Sequence, residues 1–132
     1  MGMSRWVYES VGGSPEVYDP LWDMALSYRL QQSGVTLTFL SEPLYRYRYR
    51  NSIRGLFKQT QSWGYYQALA HREFGTAFLP RRAASLAVSE WLAGVRGLVT
   101  ARSRSDFARF AIRMGYSVGR LRGSVRYRVF YL

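Results

Sequence analysis

Between Phe107 and Gly123 two patterns share one stretch of chain, and together they leave it little choice of fold. Phe107, Phe110, Ala111, Met114, Val118 and Leu121 recur at helical spacing, and Gly115, Gly119 and Gly123 recur every fourth residue among them. The first pattern predicts a long helix with an apolar stripe. The second works against an isolated helix, because an interior glycine costs up to about 1 kcal/mol relative to alanine. A second helix lying close along a small-residue ridge offsets that cost. The expectation is therefore helix pairing through the three glycines, within the chain or between copies. Ser105 or Asp106 is the expected N-cap, and Arg109, Arg113, Tyr116 and Arg120 form the opposite stripe.

Four more helices are predicted upstream, one of them within residues 12–34, taken up below. Arg81-Arg82 opens one that runs through AASLAVSEWLAGVRGLV, with Val88, Trp91, Leu92, Val95, Leu98 and Val99 as its apolar stripe. Asn51-Ser52 reads as a turn and cap for another, from Ile53 to about Phe74. Ile53, Leu56, Phe57, Thr60, Gly64 and Ala68 share one of its faces. Ser4–Val11 can form a short helix closed by Gly12-Gly13. Strand signals are fewer. VTLTFL at 35–40 is β-branched and apolar, and LYRYRYR at 44–50 alternates strictly, with tyrosines on one face and arginines on the other. The tail at 125–132 alternates weakly, as a strand or a frayed end.

Charge and residue types narrow the functional classes. The chain has 132 residues, no cysteine and one histidine, His71, so neither a disulfide framework nor a thiolate or histidine metal site is expected. His71 reads as an ordinary surface residue. Nineteen basic residues against eight acids give a formal net charge of +11, a field that attracts nucleic acid, anionic lipid headgroups or nucleoside diphosphates. No stretch reaches the roughly 18 apolar residues of a transmembrane helix, and no apolar run follows a basic start. The expected location is the cytoplasm, extending to the inner face of the membrane.

The stretch GGSPEVYDPLWDMALSYRLQQSG, residues 12–34, carries the most chemical information. Asp19 can cap a helix entered through Pro20 and closed by Gly34. Asp23 then sits in the first turn, where the helix dipole favours a negative charge. A carboxylate mounted rigidly after a glycine-rich bend suits a general base.

The order GG-x-x-E, then x-D-x-x-L-x-x-R-L-x-x-x-G, then a strand and Glu42-Pro43, resembles the acceptor-side half of family 2 glycosyltransferases. The resemblance continues through residues 44–50, SIRGLFKQ at 52–59 and Trp63-Gly64, and fades over the final GRLRGSVRYRVFYL. It implies the C-terminal part of a GT-A domain: an α+β fold, mainly helical, with two or three strands and three or four helices. An acceptor-side region at 1–79 would be followed by a helical region at 80–132. It further implies inverting transfer of a sugar from a nucleotide-sugar to an acceptor hydroxyl, with Asp23 as the base. The pair here is Trp22-Asp23 where the family has Glu-Asp, and Arg46 stands where a histidine often helps hold the metal.

No Asp-x-Asp motif occurs, so no cofactor is expected within this chain; a divalent metal enters only with a separate donor-binding half. The expectation is a fragment or subunit whose partners are that half or further copies, and a sugar acceptor, lipid-linked among other forms. Arg46, Arg48 and Arg50 are the candidate contacts to diphosphate or acceptor, the plainer reading being a charged edge strand. Gln59 and Trp63 match part of the Gln-x-x-Arg-Trp signature of processive relatives, where the tryptophan floors the acceptor site; the plainer reading buries Trp63 at a helix crossing. The alternative function is a non-catalytic basic module. It would bind an anionic membrane surface or nucleic acid, with nucleic acid disfavoured because no RNA-binding signature occurs.

Overall fold

The computed structural model describes residues 2–14, 20–36, 38, 41–42, 46, 48, 50–80 and 83–132. It divides into two compact units, Met1–Arg48 and Tyr49–Leu132. Among the described residues all regular structure is helical: α1 Arg5–Ser10, α2 Trp22–Gln32, α3 Ile53–Phe74, α4 Ala84–Thr100 and α5 Arg104–Tyr127, with a 3-10 turn at Gly75–Ala77 after α3.

The expected α+β fold of a GT-A domain is therefore corrected to an all-helical one. Val35, Thr36 and Thr38 are in no strand, nor are Arg46, Arg48 and Arg50, and the remaining alternating positions of both segments lie outside the described residues. Alternation sets two faces, but a strand also needs a partner for its backbone groups, and a lone hairpin is marginal in water. The described chain has no second strand to provide that partner.

The first unit is built on glycine turns. The amides of Gly12 and Gly13 donate to the Glu9 and Tyr8 carbonyls, both at 3.0 Å, and end α1 in the left-handed region (φ +77° and +68°). α2 starts at Trp22 after a turn through Pro20 and Leu21, later than the expected Pro20 start; Asp19 lies outside the described residues. Its core face is Leu21, Ala25, Leu26 and Leu30. Gly34, at φ +81°, closes it as anticipated.

The second unit is organised on α5. Ser52 caps α3 by accepting from the Gly55 amide at 3.0 Å. α3 and α5 make the principal helix pair, α4 packs on α5, and α3 and α4 barely meet. The α3–α5 seam is the glycine ridge. Thr60, Gly64 and Ala68 on α3 repeat the same four-residue spacing and are buried. A Cβ on Gly115 would strike Thr60 and the Phe57 carbonyl. On Gly119 it would strike the Gln61 carbonyl, and on Gly123 it would meet Tyr65 and Ala68. Both sequences rise together along the seam, so α3 and α5 run parallel. The opposite register, Gly94 on Met114 and Glu90 on Arg120, makes α4 antiparallel to α5.

Two expectations about faces change. Arg120 is turned in against α4, its side chain 7% exposed, and donates to Glu90 at 2.9 Å and to the Tyr116 carbonyl at 3.3 Å. The carboxylate partner and the carbonyl offset the cost of burying the guanidinium. The α4 stripe is turned outward: Val88, Leu92, Val95, Leu98 and Val99 are all exposed. α4 packs instead through Ala87 and Gly94, whose small size brings it close to α5.

The tail is neither strand nor frayed. α5 ends at Tyr127, Arg128 adopts a left-handed conformation (φ +52°), and the chain returns so that Ser124 Oγ donates to the Tyr131 carbonyl and accepts from the Tyr131 amide. Tyr131 then stacks on His71 at 4.7 Å, and His71 Nδ1 lies 2.7 Å from the Leu79 carbonyl. His71 is thus a buried pin between the end of α3 and the tail, not a surface residue. Nearby, burial beside the Tyr65 hydroxyl pushes the Tyr127 phenol up.

The cap of α5 is Ser103, not Ser105 or Asp106, and it forms a reciprocal capping box with Asp106. Hydrogen bonds from the Ser103 hydroxyl and from the Arg102 and Ser103 amides, joined by Arg109, hold the Asp106 carboxyl at about 2, below its usual 3.8. A depressed folded-state pKa means that the box stabilises fully above the unfolded value and fades as pH falls from 3.8 towards 2. The melting-temperature difference between the native chain and Asp106→Asn should stay constant from neutral pH down to about pH 4 and close near pH 2. A difference independent of pH would show that the ionised Asp106 carboxylate is not what stabilises the box.

Candidate functional site

In the first unit, α1 and the start of α2 border a hollow of about 400 Å³ lined by Gly2, Met3, Ser4, Arg5, Tyr8, Trp22 and Leu26. Its walls are laid by local rules. Tyr8 folds back over the glycine turn and its hydroxyl accepts from the Ser14 amide at 2.8 Å. Gly13 permits this, because a Cβ there would lie 3.0 Å from the Tyr8 ring. Trp22, the first residue of α2, is held by the helix and remains 44% exposed. Arg5 at the rim is paired with Glu9 at 2.7 Å. The hollow offers two aromatic surfaces, a lining suited to a sugar ring.

Asp23 follows Trp22 directly, in the first turn of α2, and is exposed. Its Oδ1 accepts from the Met24 amide at 2.8 Å and its carbonyl accepts from the Ser27 hydroxyl at 2.7 Å. The carboxylate is thus positioned by the helix end and open to solvent, the geometry that a base acting on an incoming hydroxyl requires.

The other sequence candidates fall as follows. Arg46 and Arg48, in the first unit, and Arg50, in the second, are exposed. Gln59 and Trp63 lie on α3 in the second unit and are half-buried. Trp63 packs beside Tyr116 of α5, ring centroids 6.0 Å apart and tilted by 40°, which is the helix-crossing placement. Arg120 lies over the other end of that cluster, 5.9 Å from the Tyr116 centroid. A larger hollow of about 500 Å³ between α4 and α5 is lined by Glu90, Arg109, Arg113, Tyr116 and Arg120 among others. Two of its cations already serve the fold, Arg109 with Asp106 and Arg120 with Glu90.

Sequence reasoning missed Tyr8 and the place of Trp22 in the wall of the hollow. The available signal was an aromatic residue on each side of a Gly-Gly turn, which brings flanking helices back towards one another. Among the described residues no group of three or more His, Cys, Asp or Glu could hold a metal ion. Comparison of the chain with protein-family models, with curated proteins and with solved structures finds no match.

Proposed function

We propose that the chain is the acceptor-side component of a sugar-transfer enzyme. Its Met1–Arg48 unit holds the acceptor in the Tyr8/Trp22 hollow, and the nucleotide-sugar site lies outside these 132 residues. The observation that carries this reading is the exposed first-turn carboxylate of Asp23, immediately after the tryptophan that lines the hollow. Aromatic faces bind the apolar faces of sugar rings, and their polar edges orient the hydroxyls.

In the reaction, Asp23 accepts the proton of the acceptor hydroxyl as its oxygen bonds to the anomeric carbon. The bond from that carbon to the nucleoside diphosphate breaks at the same time, with inversion. The departing diphosphate needs cations, and the exposed Arg46 and Arg48 of the same unit are this chain's offer to it. The helical fold departs from the one the resemblance implies; motif order and the Asp23 carboxylate support the sugar-transfer role.

Titration of the isolated chain with two ligand classes, followed by NMR, tests the proposal. Methyl glycosides of common hexoses should give saturable shifts at Trp22 and Tyr8, lost in Trp22→Ala. Uridine and thymidine diphosphate sugars should not bind. Glycosides that leave Trp22 and Tyr8 unmoved at millimolar concentration would remove the acceptor site, and micromolar, metal-dependent binding of a nucleotide-sugar would overturn the division of labour.

A further inference from the structure

Helix α4 is amphipathic the wrong way round for a soluble three-helix unit. Ala87 and Gly94 face α5, while Val88, Leu92, Val95 and Val99, spaced as one continuous stripe, face solvent at 58, 66, 59 and 81% exposure. In water that arrangement forgoes the burial of branched side chains that normally drives helix packing. Small residues towards the neighbouring helix and large apolar ones away from it is the pattern of helices whose outer face meets lipid. No helix among the described residues is long and apolar enough to cross a membrane, so the contact would be lateral.

We propose that α4 lies along the surface of an anionic lipid bilayer, with Val88, Leu92, Val95 and Val99 inserted among the acyl chains. Charge selects this occupant. Arg81 and Arg82 precede the helix in sequence, while Arg96 on its polar side and Arg102 and Arg104 just beyond its end are exposed. The one acid on α4, Glu90, is turned towards Arg120. Cations flanking an apolar face are attracted to anionic headgroups while the face enters the layer beneath them. A second copy of the chain is the poorer occupant, because pairing through α4 would oppose two bodies of net charge +11 with their arginines around the seam. The proposal uses only residues of the second unit and its flanking arginines and stands independently of the sugar-transfer reading.

Flotation of the full chain with vesicles of phosphatidylcholine and phosphatidylglycerol, against vesicles of phosphatidylcholine alone, tests it. The native chain should float with the mixed vesicles and far less with the neutral ones. The double variant Leu92→Asp/Val95→Asp should partition about tenfold more weakly or worse, with an unchanged helical circular dichroism spectrum because both side chains are already solvent-facing. Val99→Ser, at the most exposed position of the stripe, gives a second and milder reading of about threefold. Equal binding by the native chain and both variants would reduce the contact to surface electrostatics and overturn insertion of α4. Absence of native binding would overturn the proposal outright. A native dimer in sedimentation, dissociated by the double variant, would assign the face to a second copy instead.

Discussion

Gly119→Leu is expected to lower the stability of the Tyr49–Leu132 unit by about 3 kcal/mol, the upper end of what overpacking usually costs. The reason is the identity of the atoms in the way. A Cβ at Gly119 would collide with the Gln61 carbonyl oxygen and lie 2.9 Å from the Tyr65 amide nitrogen. Backbone atoms of a helix cannot rotate aside, so α3 and α5 must separate along the seam. Leucine is a better helix former than glycine by nearly 1 kcal/mol, so intrinsic propensity predicts the opposite sign, and the sign reports which effect wins. For a unit of this size the melting temperature should fall by about 12–24 °C. Gly97→Ala is the matching control: nothing lies within 4 Å of a Cβ there, so the propensity gain of up to about 1 kcal/mol should appear undiminished. A Gly119→Leu protein that melts with or above the native chain would show that the ridge makes no close contact in solution.

On the proposed sugar-transfer role, Asp23→Asn should reduce transfer by about 10²–10⁴-fold once the chain is combined with a donor-binding part, the usual contribution of a general base. Folding should barely change. A carboxylate in the first turn stabilises a helix end by about 0.3–1 kcal/mol, and asparagine keeps an oxygen able to accept from the Met24 amide, the bond Asp23 makes now. The two roles therefore separate cleanly, rate with the base and melting temperature with the dipole. Trp22 sharpens the comparison, because the acid that stands beside the base in the resembling family is replaced by an aromatic wall of the hollow. Trp22→Ala should accordingly weaken acceptor binding, while Asp23→Asn should spare binding and remove turnover. A reconstituted Asp23→Asn enzyme that keeps most of its rate would take Asp23 out of the mechanism.

Sequence by itself was enough wherever the information is local. Ser52 as a cap, Ile53–Phe74 as one helix, the Gly12-Gly13 and Gly34 closures and the glycine ridge could all be read directly, because capping, left-handed φ and four-residue spacing depend on neighbours along the chain. Asp23 was legible for the same reason, as a first-turn carboxylate after a glycine bend. Other features required partners that only the tertiary structure supplies. The alternation at 44–50 met the local condition for a strand, but the described chain offers nothing for it to pair with. Arg120 belongs to a polar stripe by spacing, yet Glu90, thirty residues away, draws it in against α4. His71 looked solitary until the chain turned at Arg128 and laid Tyr131 against it. The stripe of α4 was visible in the sequence as apolar, but an apolar stripe does not state which way it points. Ala87 and Gly94 let their side of α4 lie closer to α5 than valine or leucine allows, and that closer packing turned Val88, Leu92, Val95 and Val99 outward.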